Sequence, residues 1–202
     1  MRIEFSEFRD LLLNEFNNVG LIYKVYGGIA VQCAGFDRKT EDGDITIPIK
    51  MDLVYKLIEA LEKIEFSTKD EILEDVFGAD PHTEEYLFAM VRLRTKNPKY
   101  EGYVIDVSFD FGSITYDNIE TYEADINGIK VQIATPEYLL KMKRNIKPPR
   151  DKDLEDIKFL ENLLNKKIEG SFFFAPPELS GEFIGQKTEC GKWKWNGKQW
   201  IK

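Results

Sequence analysis

The chain has 202 residues, of which 43% are hydrophobic, and it carries a formal net charge of −8 at pH 7. No apolar run approaches the roughly 20 residues that span a bilayer and Met1–Phe5 lacks a signal-segment pattern, so we expect a cytoplasmic globular protein without membrane association. The acidic balance argues against a general nucleic-acid coat protein, but it allows a small anionic ligand held through metal ions.

The first third of the sequence predicts helices and strands in alternation. Apolar residues at helical spacing indicate two amphipathic helices, Phe5–Val19 and Met51–Phe66. Strand composition between them indicates two strands, Leu21–Tyr26 and Asp44–Ile49.

The middle of the sequence continues this mixture. Strand composition recurs at Tyr86–Thr95 and Tyr103–Phe111, and an Asn-Gly dipeptide inside Tyr122–Ala134 is a strong hairpin signal. Two further helices are predicted, Pro136–Asn145 and Asp153–Leu164. The mixed order of helices and strands predicts an α+β domain.

A change of composition near residue 170 predicts two domains, a main domain at 1–168 and a small C-terminal extension at 169–202. The extension holds all three tryptophans, and its Asn-Gly dipeptide predicts a β-hairpin with a two-residue turn that pairs Trp195 with Lys198. The aromatic face of this hairpin either packs on the main domain or stacks bases, so binding of nucleic acid stays open.

The clearest chemical signal is the pair Asp42 and Asp44. Their i, i+2 spacing at the start of a strand directs both carboxylates to one face, where a divalent cation relieves their repulsion. Oxygen ligands of this kind suit Mg²⁺ or Mn²⁺. Gly27 and Gly28 precede one or two helical turns expected at Ile29–Ala34, and they would let the backbone approach a phosphate closely.

A third carboxylate is expected in the strand Tyr103–Phe111, where Asp106 and Asp110 lie on the polar face. We favour Asp106, because apolar residues flank it on both sides, whereas Asp110 lies near the end of the strand. Three carboxylates would hold two metal ions, which activate an attacking hydroxyl and stabilise a pyrophosphate leaving group.

Three stretches of the sequence are similar to motifs of one superfamily: Gly27-Gly28 followed by Arg38-x-Thr40-x-Asp42-x-Asp44, then Pro136–Lys143, then Arg150–Ile157. They resemble the DNA polymerase β superfamily of nucleotidyltransferases, in the branch that includes AbiEii-type toxins and lincosamide nucleotidyltransferases. The resemblance covers roughly residues 21–164. It implies a nucleotidyltransferase fold, with a mixed β-sheet flanked by helices.

The resemblance also implies roles for individual residues. Asp42, Asp44 and Asp106 would bind the metal ions, and Gly27 and Gly28 would approach the triphosphate.

The same resemblance implies a second group of nucleotide-binding residues. Lys143 would approach the triphosphate or the departing pyrophosphate, and Asp153 would orient it or close a helix contact. Arg38 would contact a phosphate or form an ion pair with a nearby acid. Thr40 would contact the nucleotide or cap a turn.

The predicted function is metal-dependent transfer of a nucleoside monophosphate from a nucleoside triphosphate to a hydroxyl. The acceptor is open among a small molecule, an RNA end and a protein. Two alternatives remain: a non-catalytic nucleotide-binding or interaction protein with the same fold, and the toxin half of a toxin–antitoxin pair with an antitoxin partner.

Overall fold

The structure is a computed structural model that describes residues 2–77, 90–109, 114–171, 194–195 and 200–201. Only the backbone is described for residues 166–171 and for the last two of these segments.

The described residues form helices and strands in the following order along the chain. The helices are α1 (Phe5–Asn18), α2 (Gly27–Cys33), α3 (Met51–Lys63), α4 (Lys69–Phe77), α5 (Pro136–Asn145) and α6 (Asp151–Ser171), with a 3-10 turn at Pro98–Tyr100. The strands are β1 (Lys24–Val25), β2 (Asp42–Thr46), β3 (Met90–Arg94), β4 (Val104–Ser108), β5 (Thr121–Ile126), β6 (Ile129–Ala134), β7 (Lys194–Trp195) and β8 (Trp200–Ile201). The predicted α+β class is confirmed.

Six strands form one mixed sheet in the order β3-β4-β2-β1-β6-β5. β2 is parallel to β4, and β1 is parallel to β6, whereas β3–β4, β1–β2 and β5–β6 are antiparallel pairs. β2 and β4 therefore lie side by side inside the sheet, although about 60 residues separate them in sequence.

Several boundaries differ from the sequence-based expectation. β2 begins at Asp42 rather than Asp44, so both aspartates belong to the strand. α2 begins at Gly27, which makes the glycine pair the first turn of a helix instead of a loop before it. α4 was not among the predicted helices, although Ile72, Leu73 and Val76 stand at helical spacing within it.

The core is built from the apolar faces that the helical spacing predicted. α1 buries Phe8, Leu12 and Phe16, and the Phe8 ring stacks on Phe66 with 5.4 Å between ring centroids. Tyr103, at the entry to β4, stacks on Phe8 at 5.1 Å. These contacts fix the start of β4 against α1, and with it the strand that carries Asp106.

The C-terminal hairpin is present, but with a different register. Trp195 pairs with Trp200, not with Lys198, so four residues separate the paired positions instead of two. The predicted pairing of Trp195 with Lys198 is therefore wrong. α6 runs to Ser171, past the predicted boundary at residue 168, and the division into domains stays a prediction.

No helix in the described ranges combines the length and the apolar character that crossing a bilayer requires.

Candidate active site

The pairing of β2 with β4 brings the three predicted aspartates to one face of the sheet. Asp44 and Asp106 are register partners on these parallel strands. Asp42 lies two residues before Asp44 on the same strand, and alternate residues of a strand share a face. Asp110 lies outside the described residues, so the choice between it and Asp106 rests on this register.

Asp44 is a largely enclosed carboxylate with a single hydrogen bond among the described residues. The backbone N–H of Gly28 donates to its Oδ2 at 3.2 Å. Burial raises the pKa of Asp44 to about 7, against the lowering effect of this hydrogen bond, and the charges of Asp106 and Asp42 raise it further. A carboxylate in these surroundings is stabilised by an added cation.

The glycine pair makes room for side chains of the site. Gly27 has a positive φ of +61°, and a Cβ there would lie 1.9 Å from the Asp44 Oδ2. A Cβ on Gly28 would lie 2.4 Å from the Thr40 Oγ1 and 2.8 Å from an Arg38 nitrogen. The pair is thus required by the packing of Asp44, Thr40 and Arg38 against the first turn of α2. Their predicted approach to a triphosphate stays a prediction.

Asp106 already has a strong partner. The Arg92 Nε donates to its Oδ1 at 2.8 Å, and the Arg92 Nη2 donates to its Oδ2 at 2.7 Å. Arg92 lies directly opposite Asp106 on the antiparallel strand β3. The hydrogen bond to Asp106 and that carboxylate's charge raise the pKa of Arg92 above its usual value, so the guanidinium stays charged.

The three aspartates offer the type of ligand atom that a divalent cation prefers. Asp42, Asp44 and Asp106 supply only carboxylate oxygens, which Mg²⁺ and Mn²⁺ prefer. Yet no three His, Cys, Asp or Glu side chains within the described ranges converge in an arrangement that could hold a metal ion. Both Asp106 oxygens accept hydrogen bonds from Arg92. The Lys152 Nζ lies 3.7 Å from the Asp42 Oδ2.

Beside the carboxylates, α5, α6 and the loop before β2 are joined by buried ion pairs. Arg38 donates two hydrogen bonds from Nη1 to the Asp156 carboxylate, at 2.9 and 3.0 Å. The Lys143 Nζ lies 2.7 Å from the Asp153 Oδ1 and 2.9 Å from the Asp156 Oδ2. Both aspartates are fully buried. Of the two roles left open for Arg38, the ion pair is therefore formed.

Asp153 also fixes the start of α6. Its carboxylate accepts hydrogen bonds from the backbone N–H and the guanidinium of Arg150, besides the one from Lys143. Burial by itself would raise the pKa of Asp153, but the hydrogen bonds from Arg150 and Lys143 outweigh it and hold this pKa below its usual range. Asp153 therefore ties α5 to α6 through Lys143, and its role towards a nucleotide stays a prediction.

The three carboxylates line a cleft of about 210 Å³ together with the basic residues of the ion-pair network, Arg38, Lys143 and Arg150. A larger cavity of about 810 Å³ adjoins it and shares Arg38, Thr40, Asp42 and Lys152 with it. The site therefore has a narrow end at Asp44 and Asp106 and a wide end beyond Asp42.

Arg92, Asp156 and Lys152 lie at or beside the cleft and were given no role from the sequence. Arg92 gives no sequence signal, because its role depends on the register between β3 and β4. Asp156 could have been found, since it follows Asp153 at i, i+3 and so shares a helix face with it. Lys152 reaches Asp42 only because α6 begins beside β2.

Comparison with known proteins identifies the fold. No protein-family model matches the chain, and no curated protein is significantly similar to it. Among solved structures, the lincosamide antibiotic adenylyltransferase LnuA, solved with lincomycin bound, is similar with a TM-score of 0.51 at 18% identity, over 80% of this chain and 98% of that one. The antibiotic-resistance factor ANT(2'')-Ia is similar with a TM-score of 0.51 at 15% identity, over 81% of this chain and 86% of that one. The predicted nucleotidyltransferase fold is confirmed; the AbiEii-type branch stays a prediction.

Proposed function

We propose that this chain, which has the nucleotidyltransferase fold, transfers a nucleoside monophosphate from a nucleoside triphosphate to a hydroxyl acceptor. The observation that carries the proposal is the register of β2 and β4, which aligns Asp44 with Asp106 beside the N-terminal turn of α2. Three carboxylates on one face of adjacent strands suit a site where cations and a triphosphate meet.

In the proposed reaction, the acceptor oxygen bonds to the α-phosphorus while the bond to the bridging oxygen of the β-phosphate breaks, and pyrophosphate leaves. Asp42, Asp44 and Asp106 would hold the cations, and Asp106 would also accept the proton of the acceptor hydroxyl. Bound Mg²⁺ or Mn²⁺ would offset the charge of the phosphates and lower the pKa of the attacking hydroxyl.

Lys143 has a supporting part in this proposal. It is buried and held between Asp153 and Asp156 at the cleft wall, which places a fixed positive charge near Asp44. We propose that the positive charge of Lys143, in the wall of the cleft, attracts the triphosphate or the departing pyrophosphate.

A small-molecule acceptor is favoured within this proposal. LnuA is named as acting on a lincosamide antibiotic, and the cavity of about 810 Å³ beside Asp42 offers room for a compound of that size class. The net charge of −8 disfavours an RNA acceptor by electrostatic repulsion.

The test is transfer of label from α-³²P nucleoside triphosphates to panels of aminoglycosides, lincosamides, short RNAs and the protein itself. We expect Mg²⁺-dependent labelling of an acceptor with release of pyrophosphate, lost in Asp44→Ala. Asp70→Asn, an exposed aspartate on α4, is the matched control and should keep the activity. Labelling that is equal in native protein and Asp44→Ala would contradict the proposal.

A second candidate is a nucleotide-binding protein without turnover. The observation that favours it is the pairing of both Asp106 oxygens with Arg92, which leaves two carboxylates free to bind a cation. This candidate predicts triphosphate binding without transfer to any acceptor, and binding that is unchanged in Asp106→Asn.

The toxin hypothesis assigns a biological role to the same proposed activity. It predicts that expression of the chain alone arrests growth and that Asp44→Ala relieves the arrest. Unimpaired growth with full expression of the native chain would contradict it.

A further inference from the structure

Arg92 pairs with the third carboxylate of the site through both of its oxygens. Each Asp106 oxygen accepts a charge-assisted hydrogen bond, at 2.8 and 2.7 Å, in the side-by-side arrangement that guanidinium and carboxylate groups prefer. The positive charge of the guanidinium lies against the carboxylate and repels a cation that approaches the same oxygens. Arg92 and a divalent cation therefore compete for Asp106.

The burial of the two partners is unequal. The Asp106 side chain is only 5% exposed, whereas that of Arg92 is 49% exposed. A buried carboxylate needs a compensating charge, and in the described structure Arg92 supplies it. A divalent cation could supply the same compensation, and the half-exposed guanidinium could then turn away without becoming buried and unpaired.

Arg92 also has a second possible partner in the cleft. It lines the same cleft as Gly28, Asp44 and Lys143. Guanidinium binds phosphate in the same two-pronged manner as it binds carboxylate. A triphosphate in this cleft would therefore offer Arg92 oxygens of equivalent geometry within the same space.

We infer that Arg92 changes partner during nucleotide binding: it holds Asp106 in the ligand-free protein and moves to a triphosphate oxygen when a divalent cation takes its place on Asp106. The inference rests on the proposed function and deepens it. Cation and triphosphate then bind cooperatively, since each favours the state in which Arg92 has left Asp106. Each ligand alone binds weakly.

The test is Mn²⁺ binding, measured by electron paramagnetic resonance and calorimetry, with and without a non-hydrolysable triphosphate analogue. We expect Arg92→Ala to bind Mn²⁺ alone about tenfold more tightly than the native protein, the scale of one charge-assisted contact, and to bind the analogue more weakly. Arg92→Lys keeps the charge but not the paired hydrogen bonds, and it should bind Mn²⁺ with intermediate affinity.

The matched control is Arg94→Ala, which removes an exposed positive charge two residues further along β3, opposite Val104 instead of Asp106. If Arg94→Ala raises the Mn²⁺ affinity as much as Arg92→Ala, the effect is general electrostatics and the inference is wrong. It is equally wrong if Arg92→Ala and the native protein show the same Mn²⁺ affinity, or if neither binds Mn²⁺.

Failure of this inference is distinguishable from failure of the proposed function. Unchanged Mn²⁺ affinity in Arg92→Ala, together with acceptor labelling lost in Asp44→Ala, would overturn the exchange of partners and keep the transferase. Tighter Mn²⁺ binding in Arg92→Ala without any acceptor labelling would keep the competition for Asp106 and count against the transferase.

Discussion

Gly27 is the residue on which the position of Asp44 depends most directly. We predict that Gly27→Ala lowers the free energy of unfolding by about 2–4 kcal/mol. Alanine is strained in the left-handed backbone conformation of Gly27, and its Cβ would also overlap a neighbouring side chain. The added Cβ would meet the Asp44 side chain at 1.9 Å, so the carboxylate must move and nucleotide binding should be lost. Chemical denaturation and triphosphate binding measure the two effects.

Gly20 is the matched control for this substitution. Its φ of +67° is close to that of Gly27, but a Cβ there would meet only the Lys56 Nζ, at an ordinary 3.5 Å. Gly20→Ala should lower the free energy of unfolding by about 1 kcal/mol from backbone strain alone and keep nucleotide binding. Equal effects of the two substitutions would show that the overlap with Asp44 is unimportant.

Asp44 illustrates a site residue that is unfavourable for stability in the absence of its ligand. We predict that Asp44→Asn raises the free energy of unfolding by about 1 kcal/mol at pH 7.5 in EDTA, because it removes an enclosed charge near Asp106 and Asp42. The amide oxygen can still accept the N–H of Gly28. Urea denaturation measures the difference.

Asp42→Asn is the comparison for that prediction. The Asp42 side chain is 36% exposed and lies near Lys152, so its neutralisation should change the free energy of unfolding little. A loss of stability in Asp44→Asn would mean that the Asp44 charge is satisfied within the protein and needs no cation.

The sequence was sufficient to predict which aspartates form the site, but not which residues contact them. Asp42, Asp44 and Asp106 were predicted from spacing and from apolar flanks, and the structure places them on one face of adjacent strands. Arg92 could not be predicted, because which residue faces Asp106 depends on pairing between β3 and β4, and no local pattern specifies that register.

At the scale of elements, the attachment of α6 to α5 is expected to be sensitive to acid. The folded-state pKa of Asp153 lies below its usual value, whereas that of an unfolded aspartate is about 3.9. The unfolded chain therefore binds more protons as the solution becomes acidic. The stabilisation is complete above about pH 5 and is lost as the pH falls through 4 and below.

Asp153→Asn tests this prediction. It should lower the free energy of unfolding at pH 7, because Lys143 and Arg150 lose a charged partner, and it should flatten the dependence of stability on pH below about pH 5. Denaturation midpoints measured between pH 3 and pH 7 provide the comparison. An unchanged slope in the variant would show that other carboxylates control the acid response.

Elements with a strong apolar stripe were predictable, and those set by distant contacts were not. α1 and α3 begin where the sequence indicated, because their buried faces repeat at helical spacing. β1 has only two residues instead of the predicted six-residue strand, since it pairs over a short length with β2 and β6. The register of the tryptophan hairpin also differed, because Trp195 pairs with Trp200 and not with Lys198 as the Asn-Gly dipeptide suggested.

For the whole molecule, the acidic charge and the chemistry of the cleft lead to one expectation about ligands. A protein with a net charge of −8 repels a free triphosphate at long range, and the three carboxylates of the cleft repel it locally, although basic side chains also line the cleft. Cations bound to the three carboxylates would remove that local repulsion. Binding should be strongly dependent on Mg²⁺, and the loaded protein should be more stable to heat than the free one.

The most direct test of the central claim is calorimetric binding of each of the four nucleoside triphosphates, with and without Mg²⁺, to the native protein, Asp42→Ala and Asp44→Ala. We predict binding of at least one triphosphate that requires Mg²⁺ and is lost in both variants. Binding of no triphosphate by the native protein, or binding that is unaffected by Mg²⁺ and by both substitutions, would contradict the claim.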